Sequence, residues 1–108
     1  MSMLIVEEDM DNRRFQKVAK ALADPRRFEI FQKVATATAE GMCCGAVGEE
    51  LPVSQATVSH HLKELTEAGL LESRSAGQFK YWSANADVMN EYIAELQNRL
   101  RLPKTKSS

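Results

Sequence analysis

The sequence predicts a mainly α-helical domain carrying one small β-hairpin, in the order helix, helix, short helix, helix, hairpin, helix. Three observations predict it. Asp24-Pro25 ends one helical pattern and opens another within two residues. Ser54 begins an amphipathic stretch that Gly69 closes. After Gly69 the apolar period changes from helical to extended, around a turn at Ala76-Gly77-Gln78. A short helix and a longer one meeting across the four-residue turn Leu51–Ser54 make a helix-turn-helix, and the hairpin behind it makes a wing.

Each element follows from local chemistry. Residues 1–10 are acidic and read as a loose arm before a domain spanning 11–102. The first helix runs from about Asp11 to Ala23, with Phe15, Val18, Ala19 and Leu22 on its apolar side. Asp24 caps the second helix and Pro25 suits its first position. That helix carries Phe28, Phe31, Val34 and Ala35 on one side and runs to about Ala39, before Glu40-Gly41. Met42 to Leu51 reads as a short helix weakened by Gly45 and Gly48.

Ser54 is the N-cap of a fourth helix, Gln55 to Ala68, with Val58, Leu62 and Leu65 facing inward. Residues 70–75 and 79–83 are the two strands. The last helix runs from about Asp87 to Leu102, with a seam of Met89, Ile93, Leu96 and Leu100. Pro103 stops it, and residues 103–108 form a polar tail.

The composition excludes several classes. A chain of 108 residues is one small domain, with no room for a second. No apolar run approaches the roughly 18 residues of a membrane helix. Met3-Leu4-Ile5-Val6 is followed at once by Glu7-Glu8-Asp9, too short and too acidic for a signal peptide, so a cytoplasmic protein is expected. Cys43 and Cys44 are adjacent and make no disulfide framework, which suits a reducing compartment. A small thiol enzyme finds no support, because there is no Cys-x-x-Cys and no Gly-rich phosphate loop.

Charge distribution says more than the net charge of −1. Residues 1–12 hold four acids and no base, whereas residues 13–33 hold seven bases against Asp24 and Glu29. On the fourth helix, Gln55, Ala56, Ser59, His60 and Lys63 lie opposite the apolar stripe, and no carboxylate occurs before Glu64. Such a face suits the major groove. Gln bonds adenine bidentately, Ser and Thr serve bases or phosphates, and His60 and Lys63 add phosphate contacts. His61 sits beside the apolar stripe and reads as a structural, hydrogen-bonded histidine.

The runs Ala21-Leu22-Ala23-Asp24-Pro25-Arg26-Arg27, Ser54 to Leu65 and Glu67-Ala68-Gly69-Leu70-Leu71 together resemble the ArsR/SmtB family of bacterial transcriptional repressors. The likeness spans roughly residues 15–100. It implies a winged-helix homodimer that binds an inverted-repeat operator in double-stranded DNA and is released by an inducer, often a metal ion or arsenite. It carries DNA-facing roles onto Ser54, Gln55, Thr57, Ser59, His60 and Lys63, and onto Arg74, Gln78 and Lys80 of the wing. It places the dimer interface on the first and last helices, with Phe15 and the seam Met89, Ile93, Leu96 and Leu100.

Metal-sensing members often carry Cys-x-Cys on the short helix. Here Cys43 occupies the first of those positions and Gly45 the second, with Cys44 between. Three readings of Cys43 and Cys44 stay open: a site for arsenite or another thiophilic metal ion, a redox switch, and small buried hydrophobes with no sensing role. A zinc site on the last helix is not expected, since Asp87, Glu91 and Glu95 come without a histidine. The competing reading for the whole chain is a winged helix that contacts protein only, because a near-neutral charge supplies little phosphate affinity.

Overall fold

The structure, a computed structural model, describes residues 10–38 and 40–103. Residues 1–9 of the expected arm, Ala39 and residues 104–108 of the expected tail lie outside the described residues. The order is α1 (Asn12–Ala23), α2 (Pro25–Ala35), β1 (Met42–Cys43), α3 (Cys44–Gly48), α4 (Gln55–Glu67), β2 (Leu71–Ala76), β3 (Phe79–Ala84) and α5 (Ala86–Arg99). This is a winged helix-turn-helix with a three-stranded antiparallel sheet in the order β1-β3-β2.

Side-chain caps set most helix starts. The side chains of Asp11, Asp24, Ser54 and Asn85 accept from the backbone N–H three residues on, of Arg14, Arg27, Thr57 and Val88. Each such cap is worth ~1 kcal/mol. Two helices end alike. Beyond α4, Gly69 takes φ +86°, its N–H bonds Thr66 O and the N–H of Leu70 bonds Leu65 O. Beyond α5, Arg101 takes φ +55°, with Arg101 N–H on Asn98 O and Leu102 N–H on Gln97 O. Both are Schellman closures. The second ends α5 at Arg99, short of the Leu102 expected from Pro103.

Three expectations need correction. The second helix stops at Ala35 rather than near Ala39, because Thr36 Oγ1 donates back to Gln32 O at 2.8 Å and the Thr-Ala-Thr run disfavours continuation. Its inward face is Ile30, Phe31 and Val34, while Phe28 is 45% exposed and Ala35 is exposed. The short helix spans only residues 44–48, because Met42 and Cys43 pair with Trp82 and Tyr81 as β1. Gly41 permits that pairing. Its φ is +93°, and a Cβ there would stand 2.5 Å from the Trp82 carbonyl oxygen.

One core holds the elements together. Val18, Ile30, Val47, Val58, Leu62, Leu65 and Leu70 are fully enclosed, drawn from α1, α2, α3, α4 and the segment after α4. Burying each side chain is worth ~1.5–3 kcal/mol. The wing takes little part. Only Leu71 of β2 is buried, and β3 becomes partly covered from Tyr81 onward. The hairpin closes on Gly77-Gln78, with Ala76 opposite Phe79 and Gly77 at φ +65°, which is the position where a two-residue hairpin loop favours glycine. On α5, Val88 and Tyr92 face the core. Ile93 and Leu100 stand 44% and 60% exposed on the other side, and Met89 and Leu96 are half-buried.

Candidate nucleic-acid interface

The fourth helix presents its polar face as the wheel requires. Gln55, Ala56, Ser59, His60 and Lys63 are exposed, and Val58, Leu62 and Leu65 are enclosed behind them. Ser54 and Thr57 differ from the rest. Ser54 Oγ accepts from Thr57 N–H at 3.1 Å and lies 3.0 Å from Thr57 Oγ1, so both hydroxyls serve the cap, and Thr57 is half-buried. The free N–H groups at this helix start carry the positive end of its dipole, without a carboxylate in the first turn.

Gln55 is held in place. Its Nε2 donates to Cys44 Sγ at 2.9 Å, and a Cβ on Gly48 would meet Gln55 Oε1 at 3.3 Å. The Ser59 hydroxyl stands 3.5 Å from the same sulfur. Cys44, the first residue of α3, thus touches two side chains one turn apart on α4. Neither sequence spacing nor residue type signals this bridge, because the three residues meet only when α3 packs on α4.

The wing residues fall on the hairpin as expected. Arg74 lies on β2 and Lys80 on β3, opposite neighbouring positions of the ladder, and Gln78 sits in the turn. All three are exposed. Arg74 Nη2 donates to Glu40 O at 3.1 Å, and its guanidinium stands 4.9 Å from the Tyr81 ring centre. The Lys80 ammonium is 5.6 Å from the Trp82 ring centre. These contacts order two long cationic side chains along the hairpin.

His61 is 7% exposed, and its Nδ1 accepts from Arg27 Nε at 3.3 Å. Burial holds its pKa below the ordinary 6.5; the Asp24 carboxylate opposes this and the Arg27 charge adds to it. Asp24 is itself held below its ordinary 3.8, chiefly by the backbone hydrogen bond from Arg27. The folded state therefore binds the His61 proton less readily than the unfolded chain. Stability is complete above the unfolded pKa and falls as pH drops below 6.5. Lowering pH from about 7.5 to about 5.5 should lower the melting temperature, and a His61→Gln variant should show a flatter dependence over that window. An unaltered slope in the variant would remove His61 as the cause. The Asp24 contribution lies lower, below pH 3.8.

Cys43 and Cys44 are free and half-buried. Cys43 sits on β1 opposite Tyr81, whereas Cys44 opens α3 against α4. Among the described residues no three His, Cys, Asp or Glu side chains come together as a metal site. The chain has two cysteines in all, so it cannot by itself supply three sulfurs to arsenite. Phe15 of the expected dimer set stacks within its own chain, 5.2 Å from the Tyr92 ring, with the Arg99 guanidinium 3.9 Å from its ring centre.

Residues 22–74 match a helix-turn-helix domain family. The chain is 34% identical over 92 residues to the uncharacterized HTH-type transcriptional regulator YceK of Bacillus subtilis, covering 85% of this chain and 90% of the relative. It is 30% identical over 83 residues to the arsenical resistance operon repressor of B. subtilis, covering 77% of each. Among solved structures, an ArsR-like transcriptional regulator from Rhodococcus sp. RHA1 superposes with a TM-score of 0.72 at 27% identity, over 82% of this chain and 80% of that one.

Proposed function

The chain belongs to the ArsR family of winged helix-turn-helix transcriptional regulators, and from that premise we propose that it represses its own operon as a homodimer on an inverted-repeat operator. The observation that carries the reading is the exposed, carboxylate-free face from Gln55 to Lys63 on a helix whose start is capped by Ser54. Gln55, Ser59, His60 and Lys63 read or grip the major groove, with Ser54 and Thr57 fixing the helix start against phosphate. Arg74, Gln78 and Lys80 of the wing contact phosphate or the minor groove.

Residues 11–102 act as one unit for reading and pairing, in the cytoplasm where the operator lies. No described helix is long and apolar enough to cross a membrane. The pairing surface is the outer face of α5, where Met89, Ile93, Leu96 and Leu100 form a seam that the single chain leaves partly or largely uncovered, with Phe15 at its edge. Two-fold pairing sets the reading helices about 34–36 Å apart, one turn of DNA.

The release signal acts on the thiols. A peroxide would take two electrons from the Cys44 sulfur, giving a sulfenic acid and water. A thiophilic ion would bind that sulfur together with a thiol from outside the chain, with release of the thiol proton. Either change disturbs the sulfur contacts that hold Gln55 and Ser59. Fluorescence anisotropy on the DNA upstream of the gene, at two salt concentrations, tests the core of the proposal. His60→Ala should weaken binding by about 5–150-fold, the worth of one good base or phosphate contact at 1–3 kcal/mol, and leave the melting temperature unchanged. Unchanged affinity would put the reading face elsewhere. Absence of any DNA binding by the unaltered chain would favour the protein-interaction reading. In the same assay, arsenite, copper(I) or peroxide should release DNA from the unaltered chain and not from Cys44→Ser. Release from both would clear Cys44 and leave Cys43 or a site without thiols, and release from neither would make the thiols structural.

A further inference from the structure

A cleft of about 430 Å³ lies between α1, α2 and α4, lined by Arg13, Gln16, Lys17, Lys20, Arg27 and Glu64 over the methyl group of Ala21. Its size falls within the ~300–1,000 Å³ of small-molecule sites. We propose that this cleft binds a small phosphate ester, its phosphate held by the cations of α1 and Arg27 and a hydroxyl of the ester bonded to Glu64.

Four features support the assignment. Arg13, Gln16, Lys17 and Lys20 are spaced three, four and seven apart, which puts them on one face of α1. Like charges so placed repel one another, and among the described residues none of these cations has a carboxylate partner; the ion pairs there are Arg26–Glu29 and Arg99–Glu95. The second wall supplies a guanidinium already oriented. Arg27 Nε is committed to His61 Nδ1, which leaves the two terminal nitrogens as a fork for phosphate. Finally, Glu64 stands among these cations as an acceptor. A carboxylate there repels a DNA phosphate that brings no donor of its own, and it suits a ligand that carries hydroxyls beside its phosphate.

The cleft touches α4 through Glu64 directly and through Arg27 to His61, one residue from Lys63 and from His60 respectively. Occupation therefore bears on the helix proposed to read DNA. Only this coupling rests on the DNA-binding proposal; the ligand site stands without it.

The test is an amide NMR titration of the full chain, free of DNA, with ribose 5-phosphate, and with ribose as the control lacking phosphate. Saturable shifts are expected along α1 and around Arg27 and Glu64 with ribose 5-phosphate and none with ribose. The exposed-site variant Lys17→Glu/Lys20→Glu should weaken that binding at least about tenfold while the rest of its spectrum stays in place. Lys17→Gln/Lys20→Gln serves the same comparison should the charge reversal disturb α1. Shifts that do not saturate, or that persist unchanged in both variants, overturn the proposal. It is also overturned if only duplex DNA perturbs these amides and the variant lowers the salt slope of DNA binding by about 1–2, since the phosphate is then the DNA's.

Discussion

Replacing Leu96 with Glu is expected to turn the proposed dimer into a monomer and to weaken operator binding by about 100-fold or more, because two tethered half-site contacts become one. The reasoning begins with the two faces of α5. Val88 and Tyr92 are buried against the chain's own core. Met89, Ile93, Leu96 and Leu100 lie one position further round, where Ile93 and Leu100 remain 44% and 60% exposed. A domain this small rarely leaves such a run uncovered without a partner. Two-fold pairing would bury the new carboxylate in both copies of the apolar seam, where each is desolvated without a partner charge. Leu96 is half-buried and also packs in part against the chain's own core, so a retained helical circular dichroism spectrum is the control that separates loss of pairing from loss of fold. Sedimentation velocity decides the matter. A variant that still sediments as a dimer would move the interface off α5, and an unaltered chain that sediments as a monomer would remove the interface altogether.

The second large effect is on stability. Leu62→Ala should destabilise the fold by about 2–5 kcal/mol. That is a large part of the ~5–15 kcal/mol available to a domain. Leu62 is wholly enclosed at the centre of α4, so its loss leaves a cavity that fixed helices cannot close. At roughly 4–8 °C per kcal/mol for a domain of this size, the melting temperature should fall by about 10 °C or more. Urea denaturation should show a lower midpoint at unchanged slope. Phe28→Ala is the companion measurement. With Phe28 at 45% exposure, its removal should cost much less than that of Leu62. Equal losses would contradict the face of α2 described above.

That comparison also marks where the sequence was legible. The positions 28, 31, 34 and 35 and the positions 30, 31 and 34 are both acceptable helical stripes. Only the placement of α2 against its neighbours decides between Phe28 and Ile30. The helix starts were readable because Asp11, Asp24, Pro25 and Ser54 act on the backbone beside them. The end of α4 was readable from Gly69, but that of α5 was not, since an arginine takes the left-handed position there. β1 carried no signal at all. A two-residue strand has no period, and its partner lies some forty residues away. The polar face of α4 could be read off the wheel, whereas the Cys44–Gln55 and Arg27–His61 bonds could not, because their partners are 11 and 34 residues apart.

The pairing of β1 with β3 has a consequence for how the hairpin can vary. At its far end, Gly77 has nothing near the place a side chain would occupy, and Phe79 is 54% exposed. Extra residues inserted there would meet no other element of the chain, so their effect would fall on the proposed wing contact of Gln78 and not on the fold. At its near end, Tyr81 and Trp82 are laced to Cys43 and Met42, and Gly41 lies too close to the Trp82 carbonyl to accept even a methyl group. As far as folding is concerned, the hairpin is thus free at its tip and fixed at its base. A hairpin transplanted from another protein would need to bring a backbone that accepts the Met42-Cys43 segment alongside it, whatever its length beyond that point.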